Sequence, residues 1–187
     1  MPNDLRLNLG CGVNYLKGYI NVDRFGNPDL VFDLETFPYP WENNSVCEIE
    51  LHHVLEHLGQ ETKVYLKIIQ ELYRICQSKA TVHITVPHHR SDRFYHDPTH
   101  VRPITPVGLS MFSQRLNREW QAAGKAFTLL GLYLDVDFEL TAVNYTYSEV
   151  WCERYPDRKL DRDLLLKESE IYSNLIRDVE MTLTVIK

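Results

Sequence analysis

The sequence predicts an α/β protein whose doubly wound sheet is mostly parallel and whose early helices are shortened. Short apolar runs over 5–9, 19–23 and 30–34 each stop at a glycine turn or a carboxylate, as expected of strands that end at one edge of such a sheet. Only nine residues run from Gly10 to Gly18. Because a parallel crossover normally takes about a dozen residues or more, the first connection has room for one helical turn or a loop.

Later segments supply helices and strands in alternation. Apolar side chains recur on one face at helical spacing between residues 60 and 76, and Thr105-Pro106 has the pattern of an N-cap followed by proline in the first turn. The predicted elements after the first three strands are, in order, a strand over 46–51, a helix over 60–76 closed by a turn over 77–80, a strand over 81–86, a helix over 105–116, a strand over 136–147, a helix over 161–177 and a strand over 181–186.

Composition limits the kinds of partner. With 187 residues the chain has the size of one domain, 1–187, that can bury its own core. A formal net charge of −6 disfavours broad electrostatic binding to nucleic acid or to an anionic membrane. No apolar run approaches the ~20 residues that cross a bilayer, no signal-peptide pattern opens the sequence, and the four cysteines form no Cys-x-x-Cys pair. We therefore expect a reduced, cytoplasmic protein without a metal site.

The candidate site is predicted to form around the stretch from Leu5 to Gly12. A strand that runs into Gly-Cys-Gly lets backbone N–H groups approach a ligand with no Cβ in the way. Asp23 and Asp33 end the next two apolar runs, at the same edge of a parallel sheet. This arrangement suits a nucleoside. Asp23 would accept hydrogen bonds from both ribose hydroxyls, and Asp33 would accept a hydrogen bond from the adenine amino group.

Four ordered motifs carry a resemblance to a known family. Leu-Asn-Leu-Gly-Cys-Gly, Asn-Val-Asp23, Asp33-Leu34 and His53-Val-Leu-Glu-His57 resemble the class I S-adenosylmethionine-dependent methyltransferases, most closely the small type 11-like branch. The resemblance implies a Rossmann-like sheet that ends on an antiparallel strand pair, S-adenosylmethionine as the cofactor, and methyl transfer as the reaction. The chain departs from the family in its first helix, which has room for only about one turn or a loop, and at 77–80, where relatives commonly have a Pro-Gly-Gly turn.

The same resemblance implies which residues meet the cofactor. The glycine loop would face the methionine portion, Asp23 the ribose and Asp33 with Leu34 the adenine, while His52 and His53 would lie beside the sulfur. Any one of these positions has an ordinary alternative, such as a tight turn or a surface acid, so the prediction depends on their joint occurrence. The predicted cofactor-binding residues are Asn8, Gly10, Cys11, Gly12, Asp23, Asp33, Leu34, His52 and His53.

Residues 88–102 are rich in histidine and arginine and follow the predicted fifth strand at the ligand-binding edge. An imidazole can take a proton from a hydroxyl near neutral pH, and arginine can hold an anionic group by forked hydrogen bonds. We predict an acceptor-side insertion over 88–128. Its predicted catalytic residues are His88, His89 and His96, and its predicted substrate-binding residues are Arg90, Arg93, Asp97, His100 and Arg102. The alternative is a polar loop whose turn is held by Asp97 and Thr99.

The expected acceptor is a small molecule or a sugar-like hydroxyl. A nucleobase amine is disfavoured, because Leu-His-His-Val stands where nucleobase amine methyltransferases have an Asp/Asn-Pro-Pro-aromatic motif. Two other functions stay open. A metal-dependent hydrolase would use His53 with His57 and His96 with His100, pairs four residues apart, although Pro98 makes a helix across the second pair unfavourable. The second of these functions is that of a non-catalytic module that binds the cofactor or a partner. The expected oligomeric state is a monomer or a homodimer.

Overall fold

The computed structural model describes residues 5–156 and 162–187. Seven strands form one sheet in the order β3-β2-β1-β4-β5-β7-β6. The strands are β1 (Leu5–Leu9), β2 (Ile20–Asp23), β3 (Leu30–Val31), β4 (Val46–His52), β5 (Cys76–Pro87), β6 (Phe138–Tyr147) and β7 (Ile176–Val185).

The first five strands run parallel to one another, and β7 runs antiparallel to both β5 and β6. Parallel strands at the centre of an α/β sheet are covered on both faces, which explains why β1, β4 and β5 carry almost fully buried apolar residues. The predicted fold class is therefore confirmed, including the antiparallel pair at the end of the chain.

The early connections are short, as the spacing predicts. In the described chain no helix lies between β1 and β2, and residues 10–19 form a loop that returns directly to the sheet. Two amides hold the start of this loop, because Gly10 N and Cys11 N both donate to Val22 O, at 2.7 and 3.0 Å. The glycine loop is therefore fixed to the end of β2 without a helix behind it.

Helices and one 3₁₀ turn complete the fold. The predicted helix over 60–76 is confirmed as α1, which buries Ile68, Ile69 and Leu72 against the sheet. A 3₁₀ turn at Leu55–His57 follows β4. The helices are α1 (Thr62–Ile75), α2 (Asp92–His96), α3 (Pro106–Ser110), α4 (Gln114–Ala122), α5 (Leu130–Leu134), α6 (Glu149–Arg154) and α7 (Arg162–Ser169).

The predicted closing turn over 77–80 is wrong, because β5 begins at once after α1. Cys76 already pairs with Val46 of β4, and the register then shifts before Thr81 pairs with Glu48. Lys79 takes a positive φ of 67° inside this extra length. The sheet thus absorbs the polar residues as a bulged strand start.

The single helix predicted over 105–116 is also wrong, because two helices occupy this region. Thr105 caps α3 as predicted, accepting from Gly108 N at 3.0 Å. Ser113 then starts α4 by accepting from Leu116 N at 3.2 Å, while Gln114 N donates to Asp137 at 2.9 Å. A second side-chain cap therefore breaks the pattern that read as one helix.

The helix predicted over 161–177 is too long, and Asp161, its first residue, lies outside the described residues. Helix α7 ends at Ser169, and the chain turns before β7 begins at Ile176. Leu175 and Ile176 are buried in the sheet core. Their apolar character therefore reflects a buried strand, which periodicity alone does not separate from a buried helix face. None of the described helices has the length and apolar character needed to span a bilayer.

Candidate functional site

Two cavities meet at the carboxyl edge of the sheet. The first cavity has a volume of about 360 Å³ and is lined by Gly10, Asp23, Arg24, Phe25, Phe32, Asp33, Leu34, Glu35, His53, Val54, His57, Leu58, Gln60, Thr99 and Val101. The second cavity is lined by His53, His57, Pro87, Arg93, His96, Asp97, Pro98 and His100. His53 and His57 belong to both linings, so the two spaces adjoin each other across these side chains.

Gly10 allows the glycine loop to pass close to the neighbouring turn. Its φ is +70°, and a Cβ at this position would lie 2.5 Å from Val54 Cγ2 and 2.6 Å from Val54 Cγ1. Only glycine fits both the backbone conformation and the space. The close contact forms the floor of the first cavity, where Gly10 and Val54 lie side by side.

Asp23 is half-buried at the end of β2, and the loop orients its carboxylate. Oδ2 accepts from Gly12 N and Oδ1 from Phe25 N, each at 2.9 Å. A carboxylate has about four lone-pair positions, so two remain for hydroxyl donors in the first cavity. The hydrogen bonds within the protein therefore leave Asp23 able to accept from the ribose hydroxyls, as the prediction requires.

Asp33 and Leu34 lie further along the same cavity, after β3. Asp33 Oδ1 accepts from Glu35 N at 2.9 Å, and Leu34 is buried. Phe32 lines the same wall and packs edge-on against Tyr39 and Trp41. This end of the cavity therefore combines an apolar wall with a carboxylate.

Three of the predicted cofactor residues support the loop instead of lining the cavity. Asn8 is buried, and its amide donates to Asn14 O at 2.8 Å and to Asn21 Oδ1 at 2.9 Å. Cys11 is buried as well, and burial raises the pKa of its thiol. Gly12 contributes its N–H to Asp23. We assign to these residues the positioning of the glycine loop.

His52 and His53 have different surroundings at the end of β4. His52 is exposed and lies in neither lining, while His53 takes a positive φ of 55° and lines both cavities. Nδ1 of His53 lies 3.3 Å from Glu56 Oε1. The left-handed backbone at His53 turns the chain out of the strand and into the 3₁₀ turn.

The turn at 97–100 is held by its own side chains, as one of the sequence interpretations expects. Asp97 Oδ1 accepts from Thr99 N at 2.8 Å and from Thr99 Oγ1 at 2.6 Å. These hydrogen bonds lower the pKa of Asp97. Val101 N and Arg102 N donate to Glu56 O, at 2.9 and 3.2 Å. The turn is thus fixed against the 3₁₀ turn and brings His100 beside His57.

Three residues of the histidine-rich loop lie away from both cavities. In the described structure neither cavity is lined by His88, His89 or Arg90. His88 is buried, and its Nδ1 accepts from Arg90 N at 3.3 Å. Arg90 donates to the carbonyl oxygens of Glu170 and Ile171. This part of the loop is therefore fastened to the segment before β7.

Burial of His88 predicts a pH-dependent contribution to stability. Burial, with the nearby charges of His89 and Arg90, lowers the pKa of His88 to about 4, against about 6.5 in an unfolded chain. The unfolded state then binds the proton more readily, so this contribution is complete above about pH 6.5 and is lost as the pH falls towards 4. In urea unfolding, the stability difference between wild type and His88→Gln should shrink over that range. Parallel pH curves for the two proteins would contradict this role.

The remaining predicted catalytic and substrate-binding residues divide into two groups. Arg93, His96, Asp97 and His100 line the second cavity. Arg102 does not: its Nη2 donates to Gly59 O at 2.9 Å, and its guanidinium lies over the Tyr65 ring. The structure therefore brings four of these side chains together and gives the fifth a structural contact.

The sequence interpretation missed several residues that line the first cavity. Arg24 and Phe25 directly follow Asp23, and the Arg24 guanidinium lies 4.7 Å from the centre of the Phe25 ring. The sequence signal that could have identified these two residues is their position directly after an acidic residue at the end of a strand. Leu58 and Val101 come from separate turns. Their approach depends on how the turns pack, which no local pattern encodes.

No protein-family model matches the sequence, and no curated protein matches it significantly. Solved structures do match. An S-adenosylmethionine-dependent methyltransferase from Archaeoglobus fulgidus has a TM-score of 0.64 at 17% identity, covering 98% of this chain and 87% of that one. A second from Methanosarcina mazei has a TM-score of 0.56 at 13% identity, covering 100% and 94%.

Phosphoethanolamine N-methyltransferase 2 from Haemonchus contortus, solved in complex with S-adenosyl-L-methionine, has a TM-score of 0.52 at 13% identity, and the match covers all of this chain and 50% of that one. Identities this low establish the fold. The chain has the Rossmann-like fold of class I methyltransferases, and the resemblance seen in the sequence is confirmed at that level.

Proposed function

We propose that this protein binds S-adenosylmethionine in the first cavity and transfers its methyl group to an oxygen of a small molecule in the second. The observation that carries the proposal is the junction of the two cavities at His53 and His57. Methyl transfer needs a donor and an acceptor held in line at near-attack distance, and two adjoining spaces meet that need. The fold, which is shared with methyltransferases, supports the same reaction.

The contacts of the first cavity support the cofactor. Ribose hydroxyls would donate to the free lone pairs of Asp23, and the adenine would lie between Phe32 and Leu34 with its amino group at Asp33. The methionine portion would pass the Gly10 backbone towards His53. Carboxylates at the ends of neighbouring parallel strands are placed as nucleoside sites in α/β sheets require.

The contacts of the second cavity support a hydroxyl acceptor. His96 is exposed and lines this cavity, so we assign it the proton transfer and give no such role to His88 or His89. Arg93, whose side chain is 53% exposed beside Asp178, would hold an anionic group of the acceptor. Arg90 and Arg102 take no part, because their guanidinium groups are bound to backbone carbonyls.

The reaction balances with these groups alone. The acceptor oxygen attacks the methyl carbon, the carbon–sulfur bond breaks, and its electron pair stays on sulfur as S-adenosylhomocysteine forms. The hydroxyl proton passes to the imidazole of His96 and then to water. The positive sulfur is already a good leaving group, so the protein's main task is placement.

The test is transfer of a labelled methyl group from S-adenosylmethionine to a panel of hydroxylated small molecules, including acidic ones. We expect His96→Gln to lower the rate about 10²–10⁴-fold and to leave affinity for S-adenosylhomocysteine unchanged. His83→Gln is the matched control, since His83 lies within β5 and lines neither cavity.

Transfer to an oxygen acceptor that depends on His96 would support the proposal. Cofactor binding without transfer to any member of the panel would contradict it and favour the non-catalytic module. Neither that module nor the metal-dependent hydrolase is favoured by the fold comparisons.

A further inference from the structure

Three side chains with metal-binding atoms converge where the two cavities meet. One ligand atom each from Glu56, His57 and His100 lie within 4.8 Å of one another. The imidazole rings of His57 and His100 have their centres 4.5 Å apart. Glu56 and His57 come from the 3₁₀ turn and His100 from the turn at 97–100, so two separately anchored segments supply the group.

Glu56 carries a buried oxygen without a partner. Its side chain is 0% exposed, and Oε2 has no hydrogen-bond partner among the described residues. Oε1 lies 3.3 Å from His53 Nδ1 and 3.9 Å from His100 Nε2. Leaving a buried polar atom unsatisfied costs about 1–3 kcal/mol, and more if it is charged. A cation bound at Glu56 would remove this cost.

Hydrogen bonding fixes which nitrogen of His100 is free. Nδ1 lies 2.7 Å from Phe94 O, a carbonyl that can only accept. Nδ1 therefore carries a hydrogen, and in the neutral ring Nε2 presents a lone pair 3.9 Å from Glu56 Oε1. Two electron-rich atoms at this separation repel each other unless a proton or a cation lies between them.

His57 is oriented in the same way. Thr99 Oγ1 donates its hydrogen to Asp97, at 2.6 Å, so it accepts from His57 Nδ1 at 2.8 Å. Nε2 of His57 is then the free nitrogen. Histidine ligands of metals almost always donate their other N–H to a carbonyl, a carboxylate or another acceptor, which fixes the tautomer. Phe94 O and the Thr99–Asp97 pair supply these acceptors for His100 and His57.

We propose that Glu56, His57 and His100 bind one divalent transition-metal ion through one carboxylate oxygen and two imidazole nitrogens. Zn²⁺ and its first-row neighbours accept this ligand set at about 2.0–2.2 Å, whereas Mg²⁺ and Ca²⁺ prefer oxygen ligands alone. The sequence predicts no metal site, because nothing in the local pattern places Glu56 beside His100, which lies 44 residues further along the chain. A proton on His100 would relieve one contact, while an ion satisfies Glu56 and both rings together.

The ion would lie beside the acceptor space. His57 and His100 both line the second cavity, so three protein ligands leave coordination positions open towards it, as in catalytic zinc sites. Ion binding rests on these ligands and on the hydrogen bonds that orient them, and it stands whether or not the proposed methyl transfer is correct.

A second group of acidic and histidine side chains provides the comparison. Glu48, Glu50 and His83 also lie within 4.8 Å, but Glu48 already accepts from Tyr19 at 2.8 Å and pairs with Arg6 at 3.3 Å. Its oxygens are satisfied by protein partners. We therefore expect no stoichiometric ion there, and His83→Gln serves as the control variant.

The experiment titrates ZnCl₂ into the chelator-treated 187-residue protein by calorimetry, without S-adenosylmethionine, and records the visible spectrum after Co²⁺ addition. Wild type and His83→Gln should bind one equivalent and develop the absorption bands of low-coordinate Co²⁺. Glu56→Gln and His57→Asn should each weaken Zn²⁺ binding at least about tenfold, and Thr99→Val, which keeps all ligands, about 10–100-fold.

Circular dichroism of each variant checks the fold. If Glu56→Gln fails to fold, His57→Asn and Thr99→Val decide, because both positions are accessible to solvent. The proposal is overturned if wild type takes up no stoichiometric Zn²⁺. It is equally overturned if the folded His57→Asn and Thr99→Val variants bind Zn²⁺ as tightly as wild type does.

Discussion

Asp23→Asn is expected to weaken the binding of S-adenosylhomocysteine roughly 10–100-fold. The carboxylate of Asp23 accepts from Gly12 N and Phe25 N and lines the first cavity, so its remaining lone pairs are available to a ligand there. A hydrogen bond to a charged group contributes about 1.5–3 kcal/mol, and each 1.4 kcal/mol is about tenfold in affinity. Asparagine keeps the size of the side chain and one acceptor oxygen. The change in affinity therefore reports the loss of the negative charge and of the second acceptor oxygen. Calorimetric titration measures the affinity.

Asp29→Asn is the matched control for this experiment. Asp29 also accepts hydrogen bonds, from Asn21 N and Asn21 Nδ2 of β2, both at 2.8 Å, but it does not line the first cavity. We expect some loss of stability and no comparable loss of affinity. Equal affinities of Asp23→Asn and Asp29→Asn, with both proteins folded, would remove Asp23 from the cofactor site.

Gly10→Ala is expected to have the largest combined effect on stability and binding. The added Cβ would lie within 2.6 Å of both γ-carbons of Val54 and 3.1 Å from its Cβ, so no rotation of this buried side chain relieves the contact. Left-handed backbone costs alanine about 1–2 kcal/mol, and overpacking costs about 1–3 kcal/mol. We expect a destabilisation of about 2–5 kcal/mol by urea unfolding, and at least about a tenfold loss of cofactor affinity because Val54 lines the first cavity.

Gly124→Ala separates the two causes. Gly124 has a similar φ of +63°, with nothing within 4 Å of an added Cβ, and it lies outside the first cavity. The Gly124→Ala variant should be destabilised only by the cost of left-handed backbone for alanine, about 1–2 kcal/mol, and should bind the cofactor as tightly as wild type does. If Gly10→Ala behaved like Gly124→Ala in both measurements, the close approach of the glycine loop to Val54 would have no functional importance.

Local patterns predicted the sheet well because most strands are both short and bounded by distinctive residues. Gly10 directly follows β1 and Asp23 is the last residue of β2, and both residue types suit the turns that follow these strands. The nine-residue spacing to Gly18 likewise predicts a connection without a helix, since chain length limits what can form there.

The errors occurred where tertiary contacts override a local pattern. Ser113 divides one predicted helix in two because Asp137, distant in sequence, accepts from Gln114 N beside the new cap. Ile176 belongs to β7 although its spacing from Leu175 and Ile171 suits a helix. Long-range pairing decides both cases, and a single sequence carries no direct record of it.

The candidate site shows the same division. Asp23 and Asp33 were predicted because strand ends gather at one edge of a parallel sheet. His88 and His100 could not be distinguished by sequence, since both lie in one histidine-rich segment; packing buries the first beside Arg90 and turns the second towards Glu56. The two cavities meet at His53, whose backbone is left-handed. A histidine at this position does not by itself predict that conformation.

Calorimetric titration of the purified wild-type protein with S-adenosylhomocysteine tests the central claim most directly. The two-cavity arrangement predicts one equivalent bound with micromolar or tighter affinity, because the first cavity offers two strand-end carboxylates, an apolar adenine wall and an open glycine loop. Absence of binding to folded protein would contradict the cofactor assignment, and the likeness to methyltransferases would then be one of fold alone.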